Sequence, residues 1–250
     1  MKVVILAAGE GSRLRPYTLK RPKCLVEIDG KSLLDRQLDV LKSEGVEEIV
    51  LIGGYLAGML EGRGTRFYEN PRYDETNMIW TLFCAEEELE GELLIAYGDI
   101  VYSKDALRAL LASEADIAVT IDMEWESYWR ARFEDPLDDA ESLKMAPDGR
   151  LLEIGQKPDS VEDIQGQYMG LMKFSAEGTE SLKNLFQKAK KDGSLRGKPV
   201  ENAYMTDLLQ ALIDSGTRID AVPVQGGWVE VDTVEDLESE ITIGRLSEIG

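Results

Sequence analysis

One stretch near the amino terminus decides the fold, Leu6-Ala7-Ala8-Gly9-Glu10-Gly11-Ser12-Arg13-Leu14-Arg15-Pro16. It continues the apolar run 3–6, which is typical of a strand buried on both faces. A tight loop must follow, because Gly9 and Gly11 can adopt backbone angles closed to other residues and let peptide N–H groups approach a polyphosphate. Arg13 and Lys23 then add cationic donors suited to phosphate oxygens. The stretch therefore predicts a buried strand followed by a phosphate-binding loop.

Two better-known phosphate loops do not fit this stretch. A Walker loop requires Gly-x-x-x-x-Gly-Lys-Ser/Thr, which does not occur at Gly9 or Gly11. A dinucleotide-binding loop requires a third glycine where Leu14 stands, and Pro16 interrupts the helix that this loop should open. An ordinary strand-to-loop turn with scattered surface charges is the alternative, and the cations beyond the loop count against it.

The composition favours a globular protein that binds a small anionic substrate. Of the 250 residues, 43% are hydrophobic, which is enough for a substantial core. The 28 Lys and Arg residues against 48 Asp and Glu residues give a formal net charge of -20, which repels nucleic acid and anionic membrane surfaces. We therefore expect neither nucleic acid nor a membrane as a partner, and we expect local cations to capture an anionic substrate.

Cysteine and histidine usage narrows the chemistry. Cys24 and Cys84 are the only cysteines, and no signal peptide or long apolar span is recognisable, so a cytoplasmic location with buried, reduced cysteines is expected. The chain has no histidine, which excludes His-based triads and His metal sites. A mechanism without a neutral-pH general base is therefore favoured.

Apolar patterns along the first half predict alternating strands and helices. Strands are expected at 3–6, 48–53, 93–97 and 117–122, and helices at 32–45, from 76 or 77 onward, and at 103–114. Strand, helix, strand along the chain means parallel neighbours in the sheet. The predicted fold class is α/β, with a mostly parallel sheet flanked by helices.

The second half has a different pattern. Between Glu124 and Lys173, short segments punctuated by proline and glycine predict antiparallel strands, including a hairpin around Asp148-Gly149. Beyond them we expect a strand at 168–172, helices at 176–191 and 200–215, strands at 219–224 and 228–231, and a helix from Thr233. No linker is apparent. We expect a single domain over 1–250, with a nucleotide-binding half at 1–122 and a small antiparallel, acceptor-binding half at 123–250.

Acidic residues follow two of the predicted strands. Asp99 comes directly after the strand at 93–97, and ligands of open parallel sheets lie outside the carboxyl ends of the strands, so Asp99 should lie in the same crevice as the Gly9 loop. In the alternating run 228–232, Glu230 and Asp232 share one face with Trp228. Asp232 could simply cap the helix at Thr233. Together with Asp99 it is better interpreted as a ligand of Mg²⁺, which is typically held by one or two carboxylates plus substrate phosphates.

The loop motif resembles the signature of nucleotidyltransferases that join a nucleoside triphosphate to a phosphorylated small molecule. The resemblance rests on residues 6–13, Pro16 and Pro22-Lys23, and on the metal acids at Gly98-Asp99 and Glu230-Val231-Asp232. It implies a Rossmann-like domain of the nucleotide-diphospho-sugar transferase type, with Mg²⁺ held by Asp99 and Asp232. The residues expected to contact the nucleotide are Leu6, Ala7, Ala8, Gly9, Gly11, Ser12, Arg13, Lys23, Tyr55 and Asn77.

Further blocks narrow the resemblance to cytidylyltransferases that activate phosphocholine and phosphoglutamine, some of them associated with capsule synthesis. These blocks are Thr76-Asn77-Met78-Ile79, Asp135-Pro136-Leu137-Asp138-Asp139-Ala140-Glu141, Gly166-Gln167-Tyr168-Met169-Gly170 and Tyr204-Met205-Thr206-Asp207. Gln156-Lys157-Pro158 stands where the sugar-nucleotide branch usually has Glu-Lys-Pro, so a sugar acceptor is disfavoured. The resemblance, and not the composition, implies CTP as the donor.

The expected reaction is transfer of CMP from CTP to a small phosphate or phosphonate, with release of pyrophosphate. A phosphate monoester has a second pKa of about 6, so its oxygen can attack without a side-chain base. Catalysis would then rest on positioning and charge neutralisation by four residues, Arg13, Lys23, Asp99 and Asp232. A sugar-1-phosphate uridylyl- or thymidylyltransferase and a catalytically silent nucleotide-binding subunit are the alternatives.

The acceptor is expected to be a zwitterionic amine that carries the phosphate or phosphonate. Aromatic rings beside acids can hold an ammonium group, although most buried rings belong to the core. Arg130 and Arg132 could pair with a carboxylate of the acceptor, and the oligomeric state stays open, with a homodimer as one option. The residues expected to contact the acceptor are Asp122, Trp125, Lys157, Tyr168, Trp228 and Glu230, with Trp129 as a further ring.

Overall fold

The computed structural model describes residues 1–249. Its strands, in chain order, are β1 (Lys2–Ala7), β2 (Glu27–Ile28), β3 (Lys31–Ser32), β4 (Glu48–Gly53), β5 (Arg66–Glu69), β6 (Leu93–Tyr97), β7 (Ile100–Tyr102), β8 (Ile117–Asp122), β9 (Leu143–Met145), β10 (Leu151–Ile154), β11 (Gln167–Phe174), β12 (Ser194–Leu195), β13 (Lys198–Pro199), β14 (Asp220–Val224) and β15 (Trp228–Glu230). Its α-helices are α1 (Leu33–Ser43), α2 (Met78–Phe83), α3 (Lys104–Leu111), α4 (Trp125–Arg132), α5 (Ala176–Asp192), α6 (Met205–Asp214), α7 (Val234–Glu238) and α8 (Glu240–Ile249).

A seven-stranded sheet forms the centre of the molecule, in the order β14-β8-β11-β6-β1-β4-β5. β1 runs parallel to β4 and β6, β4 to β5, and β14 to β8, whereas β11 runs antiparallel to both β6 and β8. The predicted α/β fold class with a mixed, mostly parallel sheet is confirmed. Strands from both predicted halves join this one sheet.

The apolar run of β1 is buried on both faces, as its sequence predicts. Val3 and Ile5 pack into one apolar cluster with α1 and α3, and Val4 and Leu6 pack into a second cluster on the opposite face of the sheet. All six residues of β1 are buried. β1 is therefore a central strand, and the loop that follows it is fixed at the carboxyl edge of the sheet.

One predicted segment of the second half is wrong. Residues 125–132, expected among antiparallel strands, form helix α4. The reason is a helical repeat, since Trp125, Tyr128, Trp129 and Arg132 lie at i, i+3, i+4 and i+7 and turn one face toward the core. The hairpin around Asp148-Gly149 is present as β9 and β10. The helix expected at 200–215 begins as α6 only at Met205, after a 3-10 turn at Val200–Asn202.

A small antiparallel pair completes the carboxyl edge of the sheet. β15 pairs with β7, and beyond the pair the Val231 N–H donates to the Asp99 carbonyl over 3.1 Å. Asp99 and Asp232, which are distant in sequence, are thereby brought to the same point. Within residues 1–249, none of the helices has the length and apolar character needed to cross a membrane.

Candidate active site

The phosphate loop leaves β1 at Ala7 and turns at Gly11, whose φ is +65°. A Cβ at Gly11 would lie 3.0 Å from Lys23 Cβ, so a side chain there would meet both backbone strain and crowding. The Thr18 hydroxyl donates to the Gly11 carbonyl over 2.8 Å and ties the loop to the segment that carries Lys23. Ser12 and Arg13 are exposed in the 3-10 turn that follows.

Two further glycines allow backbone segments to approach the loop closely. A Cβ at Gly98 would lie 2.8 Å from the Leu6 carbonyl oxygen, and a Cβ at Gly54 would lie 2.7 Å from the Ala8 carbonyl oxygen. The Tyr55 N–H donates to that same Ala8 oxygen over 3.1 Å. The ends of β1, β4 and β6 therefore pack backbone to backbone at this edge.

A cavity of about 190 Å³ opens beside this edge. Of the predicted nucleotide contacts, Leu6, Ala8, Gly9 and Asn77 line it, together with Asp99. Its other walls come from Tyr73, Thr76, Met78, Thr81 and Tyr97. We refer to it as the nucleotide cavity.

Six of the ten predicted nucleotide contacts do not line this cavity, and two of them, Ala7 and Tyr55, are held by other parts of the chain. Ala7 is 5% exposed and packs into the core. Tyr55 lies behind Tyr73, edge-to-face with ring centroids 6.1 Å apart, and its hydroxyl donates to the Leu19 carbonyl over 3.4 Å. The Ala7 side chain therefore packs within the sheet and Tyr55 supports the ring of Tyr73, so a contact of either residue with the nucleotide stays a prediction.

The four predicted catalytic residues lie together at the end of the nucleotide cavity. The Lys23 ammonium donates to Asp99 Oδ2 over 2.6 Å and also to Asp232 Oδ1, while Arg13 Nη2 lies 3.6 Å from Asp232 Oδ2. Burial opposes a charge on Lys23, but attraction by the two carboxylates outweighs it and raises the Lys23 pKa. Burial likewise opposes the charge on Asp232, and its cationic neighbours, Lys23 above all, lower its pKa nonetheless. Lys23 and Asp232 are therefore both charged at neutral pH.

The two carboxylates suit a magnesium ion. Asp99 Oδ1 is buried and has no hydrogen-bond partner, which leaves an oxygen lone pair available for a cation. Within residues 1–249 there is no group of three or more His, Cys, Asp or Glu side chains arranged to hold a metal. A metal here would take protein ligands from Asp99 and Asp232 alone and would complete its coordination with phosphate oxygens and water, as Mg²⁺ commonly does.

A second cavity, of about 170 Å³, adjoins the first one and shares Met78 and Tyr97 with it. Its walls combine acids with aromatic rings and two neutral polar side chains. They are Tyr97, Trp129, Asp139, Glu141, Gln167, Tyr168, Met169, Gly170, Tyr204, Thr206, Glu230 and Asp232. We refer to it as the acceptor cavity, because Asp232 connects it to the catalytic residues.

Of the six predicted acceptor contacts, Tyr168 and Glu230 line this cavity and the others do not. Asp122 is fully buried, and its carboxylate accepts hydrogen bonds from the Glu124 N–H, the Gly226 N–H and the indole N–H of Trp228 over 2.8–2.9 Å. Trp125 and Trp228 are 4% and 1% exposed and pack with Tyr128 and Trp129 in one aromatic cluster. The structure places these three residues in the core, where the rings and the acid satisfy one another, and not on the wall of the acceptor cavity.

Lys157 and Arg132 also differ from expectation. Lys157 is exposed and its ammonium donates to the Leu137 carbonyl, two residues before Asp139, so a contact with the acceptor stays a prediction. The Arg132 side chain is 1% exposed and is engaged by carboxylates of this chain, so it is unavailable to a carboxylate of the acceptor. Arg130 is 55% exposed, pairs with Glu126 and lines neither cavity, so the structure does not place it at the acceptor either.

The residues missed by sequence reasoning are the acids and the polar groups of the acceptor cavity. Burial and repulsion from Asp207 raise the Glu141 pKa to about 7, and burial also raises the Asp139 pKa. Thr206 Oγ1 lies 3.4 Å from Glu141 Oε1. The blocks 135–141 and 204–207 were singled out in the sequence, but without a fold nothing indicated which of their side chains would face a cavity.

Comparison with known proteins shows which family this chain resembles. A family model of the MobA-like NTP transferase domain matches residues 3–193. A CTP:phosphoglutamine cytidylyltransferase of Campylobacter jejuni is 39% identical over 252 aligned residues, which cover 96% of this chain and 99% of that protein.

Two solved structures share the fold at 22% identity. They are an inositol-1-phosphate CTP transferase of T. maritima, with a TM-score of 0.76 over 99% of this chain and 95% of that chain, and a CTP:phosphocholine cytidylyltransferase of Streptococcus pneumoniae, with a TM-score of 0.71 over 99% of this chain and 98% of that chain. The predicted resemblance to the cytidylyltransferase branch is confirmed.

Proposed function

The chain belongs to the MobA-like NTP transferase family, and from that premise we propose that it is a cytidylyltransferase. It transfers CMP from CTP to a small acceptor that carries a phosphate or phosphonate, and it releases pyrophosphate. The observation that carries this proposal is the convergence of Arg13, Lys23, Asp99 and Asp232 between two adjoining cavities. One cavity accommodates the nucleoside and the other the acceptor.

The chemistry needs positioning and cations more than it needs a base. The acceptor oxygen is already anionic near neutral pH, and it attacks the α-phosphorus of CTP as the bond to pyrophosphate breaks. Arg13 binds the leaving phosphates, and Lys23 binds the α-phosphate, where negative charge accumulates in the transition state. A Mg²⁺ ion held by Asp99 and Asp232 would neutralise further charge on the triphosphate.

Lys23 has a distinct part in this proposal, because in the ligand-free chain its ammonium contacts both metal acids. Two carboxylates paired with one buried ammonium are held close to the geometry that a divalent cation requires. As the triphosphate arrives, Lys23 transfers its contacts to phosphate oxygens and releases the two carboxylates. The side chain therefore maintains the site between turnovers.

The walls of the acceptor cavity support an acceptor that carries a cationic amine. Asp139, Glu141 and Glu230 all face the cavity, and within residues 1–249 Glu230 is the one of these three that forms an ion pair, with Arg132. Buried carboxylates without a cation are costly, so an ammonium group would bind favourably among them. Tyr97, Tyr168 and Tyr204 add ring surfaces that suit the same charge. A phosphorylated or phosphonylated amine, as in phosphoglutamine or phosphocholine, fits this lining better than a sugar phosphate.

The deciding experiment is a two-way assay of pyrophosphate release by the purified protein with Mg²⁺. CTP, UTP, dTTP and ATP are compared as donors, each with phosphoglutamine, phosphocholine, 2-aminoethylphosphonate and glucose 1-phosphate as acceptors. We expect CTP with an amine-bearing acceptor to give the highest kcat/KM. Preference for UTP or dTTP with glucose 1-phosphate would replace the proposal by a sugar-nucleotide activity. Absence of turnover with any pair would favour a silent nucleotide-binding subunit.

A further inference from the structure

A buried arginine lies beside an acid of the acceptor cavity and an acid of the catalytic group. The Arg132 side chain, at the last residue of α4, is 1% exposed and makes no contact with solvent-exposed acids. Its guanidinium lies over the rings of Tyr128, Trp129 and Phe133, with its carbon 5.0–5.2 Å from the ring centroids. The rings restrict the side chain to one orientation, which is the condition for an arginine to set the position of other groups.

Three carboxylates surround that guanidinium. Nε and Nη2 donate to the two oxygens of Asp236 over 2.8 and 3.2 Å, Nη1 donates to Glu230 Oε2 over 3.0 Å, and Nη2 lies 3.9 Å from Asp232 Oδ2. Glu230 faces the acceptor cavity, and Asp232 belongs to the catalytic group. One rigid side chain therefore contacts the acids of both sites.

Asp236, which Arg132 holds in place, in turn restricts the backbone of Asp232. Asp236 Oδ2 accepts hydrogen bonds from the N–H groups of Asp232 and Thr233, both over 3.0 Å. The bidentate contact with Arg132 fixes this carboxylate, and the carboxylate fixes the peptide that carries Asp232. On the other side, the Tyr128 hydroxyl, also from α4, donates to the Glu230 carbonyl and accepts from the Glu230 N–H over 3.2 Å. α4 thus holds the segment 230–232 at both ends.

We propose that Arg132 is a positioning residue that keeps Asp232 and Glu230 in one fixed relation, so that the donor and acceptor ends of the crevice stay aligned. The inference rests on the proposed function, since it assigns Asp232 to the metal and Glu230 to the acceptor. Arg132 touches neither substrate. It restricts the positions of Asp232 and Glu230, which are the groups that contact the metal and the acceptor.

The test compares Arg132→Lys with Arg130→Met. Lysine keeps the charge but loses the planar donor set, while Arg130 lies on the same helix, 55% exposed, in an i,i+4 pair with Glu126. Mn²⁺ binding in the presence of CTP is measured by electron paramagnetic resonance, and KM and kcat are measured with phosphoglutamine. For Arg132→Lys we expect Mn²⁺ affinity and kcat each to fall by about 10–100-fold, the range for residues that orient a metal ligand. Arg130→Met should match the native protein.

A second pair of variants separates positioning from folding. Asp236→Asn should reproduce the loss of Mn²⁺ affinity, and adding it to Arg132→Lys should cost much less than the sum of the two, because the residues act through one contact. Thr233→Val removes only the cap of α7, and it should lower the Tm without changing Mn²⁺ affinity.

The outcomes distinguish failure of the metal role of Asp232 from failure of the positioning role of Arg132. If native protein with CTP binds no Mn²⁺, the proposed metal role of Asp232 fails. If native protein binds Mn²⁺ and Arg132→Lys binds it equally well, the positioning role fails, whatever the Tm of the variant. If Arg132→Lys does not fold, the same decision is made on Asp236→Asn.

Discussion

The nucleotide end of the crevice is built from backbone, whereas the acceptor end is built from side chains that come from distant elements. At the nucleotide end, Gly11, Gly54 and Gly98 let adjacent chain segments meet without an intervening Cβ. At the acceptor end, acids and rings arrive from α4, the loop after it, β11, the start of α6 and β15. Under the proposed function, the donor site depends on close backbone contacts among three segments of the sheet, while the acceptor site can change by single substitutions.

The largest effect is expected from removing the charge of Asp99, which pairs with Lys23. Asp99→Asn keeps the shape of the residue but removes the negative charge that holds the Lys23 ammonium and would hold Mg²⁺. We expect kcat to fall by more than about 100-fold, above the range for residues that only orient a metal ligand. Steady-state kinetics on the folded variant measures this, with the highly exposed Asp105→Asn as a control. An unchanged rate would remove Asp99 from the catalytic group.

The second variant tests whether the nucleotide end requires glycine, which has no Cβ, at its close backbone contacts. In Gly54→Ala the new Cβ would lie 2.5 Å from Tyr73 Cβ, besides its clash with the Ala8 carbonyl. We expect the free energy of unfolding to fall by about 1–3 kcal/mol, as for overpacked sites, and CTP affinity to fall with it. Urea denaturation and calorimetric titration with CTP measure the two effects. Gly58→Ala is the matched control, because its Cβ would meet nothing within 4 Å.

The third way sharpens the acceptor end. Glu141→Gln preserves the shape of the side chain and removes its charge, so the KM for phosphocholine should rise by about tenfold, the equivalent of one charge-assisted contact, while the KM for CTP stays constant. The exposed Glu134→Gln should have no effect on either constant. Equal KM increases for both substrates would mean that Glu141 supports the fold and not the acceptor.

The pH dependence of the same residue provides an independent measurement. The Glu141 pKa is raised to about 7 by burial and by Asp207, with a smaller contribution from Asp139 and partial relief from Lys198 and the Thr206 hydroxyl. The ionised form, which binds an ammonium group, is populated above that pH, so the KM for phosphocholine should fall as the pH rises through about 7. Because the folded pKa exceeds the unfolded one, Glu141 contributes most to stability below about 4.5, and this contribution is lost as the pH rises to about 7. Glu141→Gln should flatten both profiles.

The smallest effect is expected at Lys157, an exposed cation near the edge of the acceptor cavity. If its ammonium leaves the Leu137 carbonyl for the acceptor phosphate, Lys157→Met should raise the acceptor KM by at most about fivefold, since exposed ion pairs contribute about 1 kcal/mol or less. The KM for CTP should be unchanged. Kinetics at low and high salt measures the change, which should vanish at high salt; an effect on CTP alone would place Lys157 at the donor end.

The prediction of the donor end rests on local information in the sequence. An apolar strand, two glycines and a nearby arginine specify the loop, and Asp99 follows a strand whose carboxyl end must face the same crevice. The acceptor end was predicted poorly for two physical reasons. Aromatic residues such as Trp125 and Trp228 are typical of a binding site, but here they pack in the core. The position of Glu141 at the acceptor cavity depends on contacts with β11 and α6, which the sequence alone does not show.

Helix α4 is another element for which the sequence alone did not show the surroundings of a side chain. Its helical repeat was present in the sequence, but proline and glycine nearby favoured an interpretation as short strands, and Arg132 was proposed to pair with a carboxylate of the acceptor. Only the packing of that helix against β15 reveals that Arg132 is surrounded by acids of its own chain.

The position of β11 between β6 and β8 has a consequence for biosynthesis. The amino-terminal part of a chain emerges first from the ribosome and begins to fold before the rest. Here β6 and β8 cannot be joined until β11 has been synthesised, and Asp232 follows later still, after β14 and β15. A nascent chain therefore displays a finished phosphate loop while the acid opposite Lys23 is still missing. Under the proposed function, catalysis therefore requires that synthesis has passed Asp232.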